Sequence, residues 1–214
     1  LDSVRAFATT YRAAGGPVDA LVHNAGALPA ERTSSPQGHE LTMAVHVLGP
    51  ILMTELLRPQ LAGRHGRVVF VTSGGMYGQR LPVDDPDYRS GDYRGAAAYG
   101  RSKRTQVDLL PILAERWAGD DIAVWAMHPG WAATPGLSAA LPGFERLTRP
   151  VLRDARAGAD TTTWLLAADP RPATGGLWHD RAERPTQLVP GMRSEASERQ
   201  RMWDWAAAAI GIEP

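Results

Sequence analysis

The sequence has no cysteine, one lysine and one asparagine among its 214 residues. The absence of cysteine excludes disulfide bonds, thiolate metal sites and a cysteine nucleophile, and no metal site is predicted. Basic and acidic side chains balance at 23 each, so the positive field on which nucleic-acid and polybasic membrane binding depend is missing. The apolar runs are shorter than the roughly 20 residues that span a bilayer, and no signal-peptide core is visible. We therefore predict a cytoplasmic protein that binds neither nucleic acid nor membranes.

Apolar segments rich in β-branched residues alternate with longer segments of helical periodicity, which is typical of βαβ units and a parallel sheet. Strands are predicted at 18–23, 67–72, 122–127 and 176–179, and helices at 3–14, 39–61, 97–117, 155–168 and 194–209. Segment 28–38 is predicted to be a loop, 79–95 a solvated loop, and the residues after 130 a loop that runs to about 150. No repeat or linker divides the chain, so residues 1–214 are predicted to form one doubly wound α/β domain.

Small and polar residues follow the carboxyl ends of the predicted strands, where ligands bind in doubly wound sheets. Asn24, Ala25 and Gly26 follow the first strand, Ser73 follows the second, and Pro129, Gly130 and Thr134 follow the third. Small residues allow a ligand to approach the backbone, while Asn, Ser and Thr supply hydrogen bonds. Strand ends also need turns of similar composition, so each segment taken alone is equally consistent with a structural role.

Tyr99 and Lys103 are four residues apart in the third predicted helix. Residues at this spacing share one helix face, with Cβ atoms about 5 to 6 Å apart. A nearby ammonium is expected to lower the tyrosine pKa from its ordinary value near 10, which makes the phenol a usable acid or base near neutral pH. An ordinary surface pair is the alternative. However, the other 22 basic residues are all arginine, so this single lysine indicates a need for an ammonium.

Four motifs in this order resemble the short-chain dehydrogenase/reductase family over nearly the whole chain. They are Asn24-Ala25-Gly26, Ser73, Tyr99-Gly100-Arg101-Ser102-Lys103, and Pro129-Gly130 with Thr134. Segment 45–50, Gly176-Leu177-Trp178 and the long interval from Ser73 to Tyr99 are similar to the retinol-dehydrogenase-like and dehydrogenase/reductase subgroup. The resemblance implies a Rossmann-like domain that binds NAD or NADP.

The resemblance also implies an oxidoreductase that interconverts a carbonyl and an alcohol by hydride transfer. In this mechanism Tyr99 donates a proton to the carbonyl oxygen, Ser73 orients that oxygen, and Lys103 holds the ribose hydroxyls and tunes Tyr99. The expected cofactor contacts are Asn24, Ala25, Gly26, Tyr99, Lys103, Pro129, Gly130, Ala132 and Thr134. The expected substrate is a small apolar carbonyl compound or alcohol. Its lid, or an ordinary hydrophobic loop contact, is predicted at Trp131, Leu137, Leu141, Pro142 and Phe144.

Two features depart from the family pattern. The position where the family often has an asparagine, which helps a water-linked proton path to the lysine, is His46. A histidine there is consistent with a relay or with a satisfied core residue. The glycine-rich loop that holds the pyrophosphate at a helix N-terminus is absent. The resemblance therefore implies an N-terminally incomplete domain that lacks its first three strands and two helices, on the order of 60 to 80 residues.

Three classes of function are compared. The first is an NAD(P)-dependent carbonyl reductase or alcohol dehydrogenase. The second is a non-catalytic binding or structural remnant of the same fold, which the missing phosphate loop favours. A serine hydrolase is disfavoured, because Ser73 does not lie in a Gly-x-Ser-x-Gly elbow. The resemblance further implies helix pairing at 39–61 and 97–117, so a homodimer through these two long helices is expected.

Overall fold

The computed structural model describes residues 1–130 and 153–214, and within them the chain forms a five-stranded sheet in the order β1-β2-β3-β4-β5. The strands are β1 (Ala20–His23), β2 (Arg67–Val71), β3 (Ala123–Met127), β4 (Leu177–His179) and β5 (Ala182–Arg184). Strands β1 to β4 are parallel, and β5 is antiparallel to β4. The predicted parallel α/β sheet is therefore confirmed.

Six α-helices lie in the described residues. They are α1 (Asp2–Ala14), α2 (Leu41–Leu61), α3 (Gly95–Asp108), α4 (Leu110–Ala118), α5 (Ala155–Ala167) and α6 (Ala196–Ile210). Helix α1 ends where the sequence predicts, because Gly15 adopts φ 73° and closes the helix in the left-handed conformation. Helix α2 is long and apolar enough to cross a membrane by length and composition. However, 67% of its apolar window is buried inside the fold, as in the core helix of a soluble protein.

Helices cover both faces of the sheet, and β3 shows this most clearly. All five residues of β3 are buried. Successive side chains of a strand point to opposite faces. Val124 and Ala126 join the larger core with α2, α4 and α6, whereas Trp125 and Met127 join a smaller core with Leu165 of α5. This arrangement explains the apolar runs of Val68–Phe70 in β2 and of the whole of β3, since these residues are buried on both faces of the sheet.

The predicted helix at 97–117 is wrong in one respect, because it divides into α3 and α4 around Leu109. Pro111 lies at the start of α4. A proline has no N–H to donate to the carbonyl four residues earlier, and its ring clashes with that carbonyl in a continuous helix. Two shorter helices therefore replace one long helix.

Segment 79–95 is not simply a solvated loop, and that prediction is corrected. Asp87 and Tyr88 are buried. One carboxylate oxygen of Asp87 accepts the backbone N–H of Glu40 at 3.0 Å, and the carboxylate also contacts the His39 ring. These contacts fix the segment against the start of α2. The Asp87 carboxylate therefore anchors the segment, although it lies in a charged stretch of sequence.

Strand β5 was not predicted. Its sequence, Ala182–Arg184, is short and polar, and the strand is defined by antiparallel pairing with β4. The predicted loop after residue 130 lies outside the described residues for the segment 131–152. The same is true of the predicted site residues Trp131, Ala132, Thr134, Leu137, Leu141, Pro142 and Phe144.

Candidate active site

The carboxyl ends of the parallel strands lie side by side. The register places His23 beside Phe70, and Val71 beside Met127. The segments that follow these strands therefore meet at one edge of the sheet. Asn24, Ala25 and Gly26 are solvent-exposed at this edge, and Pro129 and Gly130 are half-buried. This is the edge at which doubly wound sheets bind ligands.

Ser73 follows β2 and caps a 3₁₀ turn over Gly74–Gly78, where its Oγ accepts the backbone N–H of Gly75 at 3.3 Å. Helix α3, which carries Tyr99 and Lys103, packs against this turn. A Cβ on Gly100 would lie 3.2 Å from the Gly75 carbonyl oxygen and 2.7 Å from Cγ of Gln79. The glycine next to Tyr99 therefore allows α3 to approach the serine turn closely.

Lys103 ties α3 to the end of β2. Its Nζ donates to the carbonyl oxygen of Val71 at 2.7 Å, and Thr72 Oγ1 donates to the Lys103 carbonyl oxygen at 3.0 Å. The ammonium lies 5.5 Å from the centroid of the Tyr99 ring. The structure thus brings Ser73, Tyr99 and Lys103 together at the edge of the sheet, as the helical spacing and the strand order predict.

The electrostatics of the pair differ from the expectation. Burial raises the pKa of Tyr99, and the neighbouring Ser73 hydroxyl offsets this shift only in part. Burial also lowers the pKa of Lys103 to about 7. The predicted lowering of the phenol pKa by the lysine is therefore wrong, because desolvation disfavours the charged form of both groups. At neutral pH Tyr99 is a protonated phenol, the form that donates a proton.

Two histidines at this edge had no role assigned from the sequence. The rings of His128 and His179 stack with centroids 3.9 Å apart, and His179 Nδ1 donates to the His128 carbonyl oxygen at 2.9 Å. Burial lowers the pKa of His128 to about 4, and its Nδ1 accepts the Gly130 N–H at 3.3 Å. The pair holds the turn that begins the predicted nicotinamide segment. The sequence signal for this role is the position of His128, which lies directly before Pro129-Gly130.

The residues at this edge fit the ribose and nicotinamide part of a dinucleotide. Lys103 is buried and has three N–H donors, and Val71 is its one acceptor among residues 1–130 and 153–214. An ammonium can donate more hydrogen bonds than this one, and ribose hydroxyls are suitable acceptors. The exposed Asn24 amide adds further hydrogen-bonding groups. The described residues contain no group of three His, Cys, Asp or Glu side chains that could hold a metal ion.

A mostly parallel sheet with helices on both faces is the doubly wound, Rossmann-like architecture. The sequence model of the short chain dehydrogenase family matches residues 1–142. The chain belongs to the short-chain dehydrogenase/reductase family.

Two curated relatives illustrate the match. Dehydrogenase/reductase SDR family member 12 of Bos taurus is 38% identical over 176 residues, which are 80% of this chain and 54% of that protein. Polyprenol dehydrogenase of Danio rerio is 31% identical over 235 residues, which are 100% of this chain and 68% of that protein. The match to the bovine relative thus spans about half of that protein.

Solved structures show the same fold. A crystal structure from Mycobacterium paratuberculosis superposes with a TM-score of 0.72 at 23% identity, and the match covers 99% of this chain and 72% of the other. The 3-ketoacyl-(acyl-carrier-protein) reductase of Brucella melitensis, complexed with NADH, gives a TM-score of 0.61 at 23% identity over 81% of this chain and 70% of that one. The doubly wound Rossmann-like fold is confirmed.

Proposed function

We propose that this chain carries the acid–base centre of an NAD(P)-dependent oxidoreductase that interconverts a carbonyl compound and an alcohol. The observation that carries the proposal is the convergence of Ser73, Tyr99 and Lys103, with Lys103 Nζ 5.5 Å from the Tyr99 ring and anchored on Val71. The cofactor contacts are proposed at Asn24, Ala25, Gly26, Pro129 and Gly130.

The described side chains divide the reaction between them. The nicotinamide cofactor, when bound, supplies the hydride that adds to the carbonyl carbon. Tyr99 gives its phenolic proton to the carbonyl oxygen, and the product is the alcohol; oxidation is the reverse. Ser73 donates a hydrogen bond to the same oxygen, so that preorganised donors meet the charge that develops there. Lys103 holds the ribose and places its positive charge near the tyrosinate that forms after proton transfer.

An apolar substrate is part of the proposal. One relative is named for an apolar polyprenol and another, retinol dehydrogenase 13 of Homo sapiens, for retinol. Both names describe alcohols with long hydrocarbon chains. A homodimer through segments 39–61 and 97–117, and a cytoplasmic location, stay predictions.

A non-catalytic remnant of the fold is the second candidate. Tight binding of NADH or NADPH in a titration of this chain would count against the remnant.

Replacement of Ser73 by alanine tests the proposed role of this edge of the sheet. We expect kcat/KM for reduction of apolar ketones and aldehydes by NADH or NADPH to fall about 10²- to 10³-fold, because one donor to the developing oxyanion is lost. Ser90→Ala is the matched control, since Ser90 is exposed in the 79–95 segment. Equal activity of the Ser73→Ala variant and the unmodified protein would contradict the proposal, as would the lack of turnover across a panel of apolar carbonyl compounds.

A further inference from the structure

His46 lies between the Asn24–Ala27 segment and the catalytic helix. It is fully buried in α2, within the π-helical stretch Ala44–Leu48. A Cβ on Gly26 would lie 3.4 Å from His46 Nε2, and the His46 ring stands edge-on to the Tyr99 ring with centroids 5.3 Å apart. The imidazole thus contacts both the predicted cofactor segment and the proposed proton donor.

The contacts of the ring fix its tautomer. The backbone N–H of Ala27 donates to His46 Nε2 at 2.9 Å, and an amide nitrogen can only donate. Nε2 is therefore the unprotonated nitrogen, and the hydrogen is on Nδ1. Nδ1 lies 2.7 Å from Ser102 Oγ, which in turn donates to the Tyr99 carbonyl oxygen at 2.8 Å. One directed chain of hydrogen bonds thus runs from Ala27 through His46 and Ser102 to the backbone of Tyr99.

The same contacts leave His46 without a route for proton transfer. The lone pair of Nε2 accepts a hydrogen bond from the Ala27 amide, which cannot accept a proton. The His46 backbone carbonyl oxygen separately accepts a hydrogen bond from Gln106 Nε2 at 2.7 Å. The charged or titratable groups that face the ring are Lys103 and Tyr99. Burial and the positive charge of Lys103 hold the pKa of His46 well below its ordinary value. The imidazole is neutral at physiological pH.

We propose that His46 is a positioning residue, which couples the cofactor segment at Ala27 to Tyr99 through a fixed Nδ1–H tautomer, and that it is not a proton relay. The inference rests on the proposed function, because the coupling matters for turnover only if Tyr99 is the proton donor. Of the two alternatives that the sequence leaves open, the geometry favours the satisfied core histidine and adds a positioning role to it.

Two amide substitutions separate the two halves of the chain of hydrogen bonds. A glutamine amide reaches the position of Nε2 and an asparagine amide that of Nδ1, and neither can carry a proton between groups. His46→Gln keeps an acceptor for Ala27 but loses the link to Ser102, so we expect kcat to fall about 5- to 10-fold with an unchanged KM for NADH or NADPH. His46→Asn keeps the link to Ser102, so we expect the KM to rise by a similar factor with kcat retained.

Further variants test whether the fall in kcat is specific to the His46–Ser102 link. Ser102→Ala should reproduce the kcat effect of His46→Gln, and the double variant should lose no more than either single one, because both interrupt the same link. His65→Asn is the control: the His65 side chain is 83% exposed, and asparagine tolerates its φ of 52°. Loss of a proton relay would instead lower kcat by about 100-fold or more in both amide variants and change the pH–rate profile, and that result overturns the proposal.

Nitrogen NMR of the histidine rings in the unmodified protein tests the proposal without an assay. We expect the His46 signals of a neutral Nδ1–H imidazole, unchanged between about pH 8 and pH 5. A signal that titrates in this range, or one from the Nε2–H tautomer, refutes the positioning role and leaves the proposed function standing. An inactive protein with the expected NMR signals refutes the proposed function alone.

Discussion

Replacement of Tyr99 by phenylalanine is expected to lower the rate of carbonyl reduction about 10²- to 10⁴-fold, which is the usual contribution of a positioned general acid. The substitution removes one oxygen and leaves the ring. Burial keeps the pKa of Tyr99 above its ordinary value, so the phenol holds its proton at neutral pH and is ready to donate it.

The control for this variant is Tyr11→Phe. Tyr11 lies in α1, and its hydroxyl donates to the Pro17 carbonyl oxygen at 3.0 Å. The same atom is removed there, at a position outside the candidate site, so activity should stay within about 2-fold. Cofactor binding, measured by titration with NADH and NADPH, should be similar in both variants. Retention of full turnover by Tyr99→Phe contradicts the assignment of the proton donor.

The second large effect concerns stability. Arg104 and Asp108 form an ion pair one turn apart in α3, and their side chains are 0% and 4% exposed. Arg104 also donates to the Thr186 carbonyl oxygen at 2.7 Å and so ties the segment after β5 to α3. Removal of the carboxylate by Asp108→Ala leaves the guanidinium buried with its charge uncompensated. We expect the free energy of unfolding in urea to fall by about 3 to 5 kcal/mol.

Two further variants test whether the loss of stability in Asp108→Ala comes from the uncompensated buried charge. The double variant Arg104→Met/Asp108→Leu replaces the pair by apolar side chains of similar size, and it should recover most of the lost stability. Asp19→Ala breaks an exposed pair with Arg64, whose side chains are 72% and 44% exposed, and should cost at most about 1 kcal/mol. If Asp108→Ala is as mild as Asp19→Ala, the ion pair does not hold α3 in the way we describe.

The elements that the sequence predicts well are those whose signal is local. β2 and β3 are unbroken apolar runs, and α1 ends at a glycine pair, so their type follows from neighbouring residues alone. β5 carries no such signal, because Ala182–Arg184 is polar and becomes a strand through backbone pairing with β4. The burial of Asp87 was equally invisible, since its partners at His39 and Glu40 are more than forty residues away in the chain.

In the candidate site, too, some features follow from local sequence patterns and others do not. Tyr99 and Lys103 share a helix face by spacing, and Ser73 joins them because parallel strands end at one edge of the sheet. The direction of the Tyr99 pKa depends on how deeply the packed chain buries the phenol, which no local pattern reveals. The tautomer of His46 and the stacking of His128 on His179 depend on contacts between segments far apart in sequence. The grouping of these three side chains was therefore predictable from the sequence, whereas the direction of their pKa shifts was not.

The most direct test of the proposed chemistry follows a deuterium atom from the nicotinamide to the product. The protein is incubated with an apolar ketone and NADH or NADPH that carries deuterium at either face of the nicotinamide C4. We predict that one of the two labelled forms delivers deuterium to the carbinol carbon, that the hydroxyl proton comes from solvent, and that Tyr99→Phe suppresses the product. An alcohol that contains no deuterium with either form, or an equal rate of product formation by Tyr99→Phe, would contradict hydride transfer at this Ser73–Tyr99–Lys103 site.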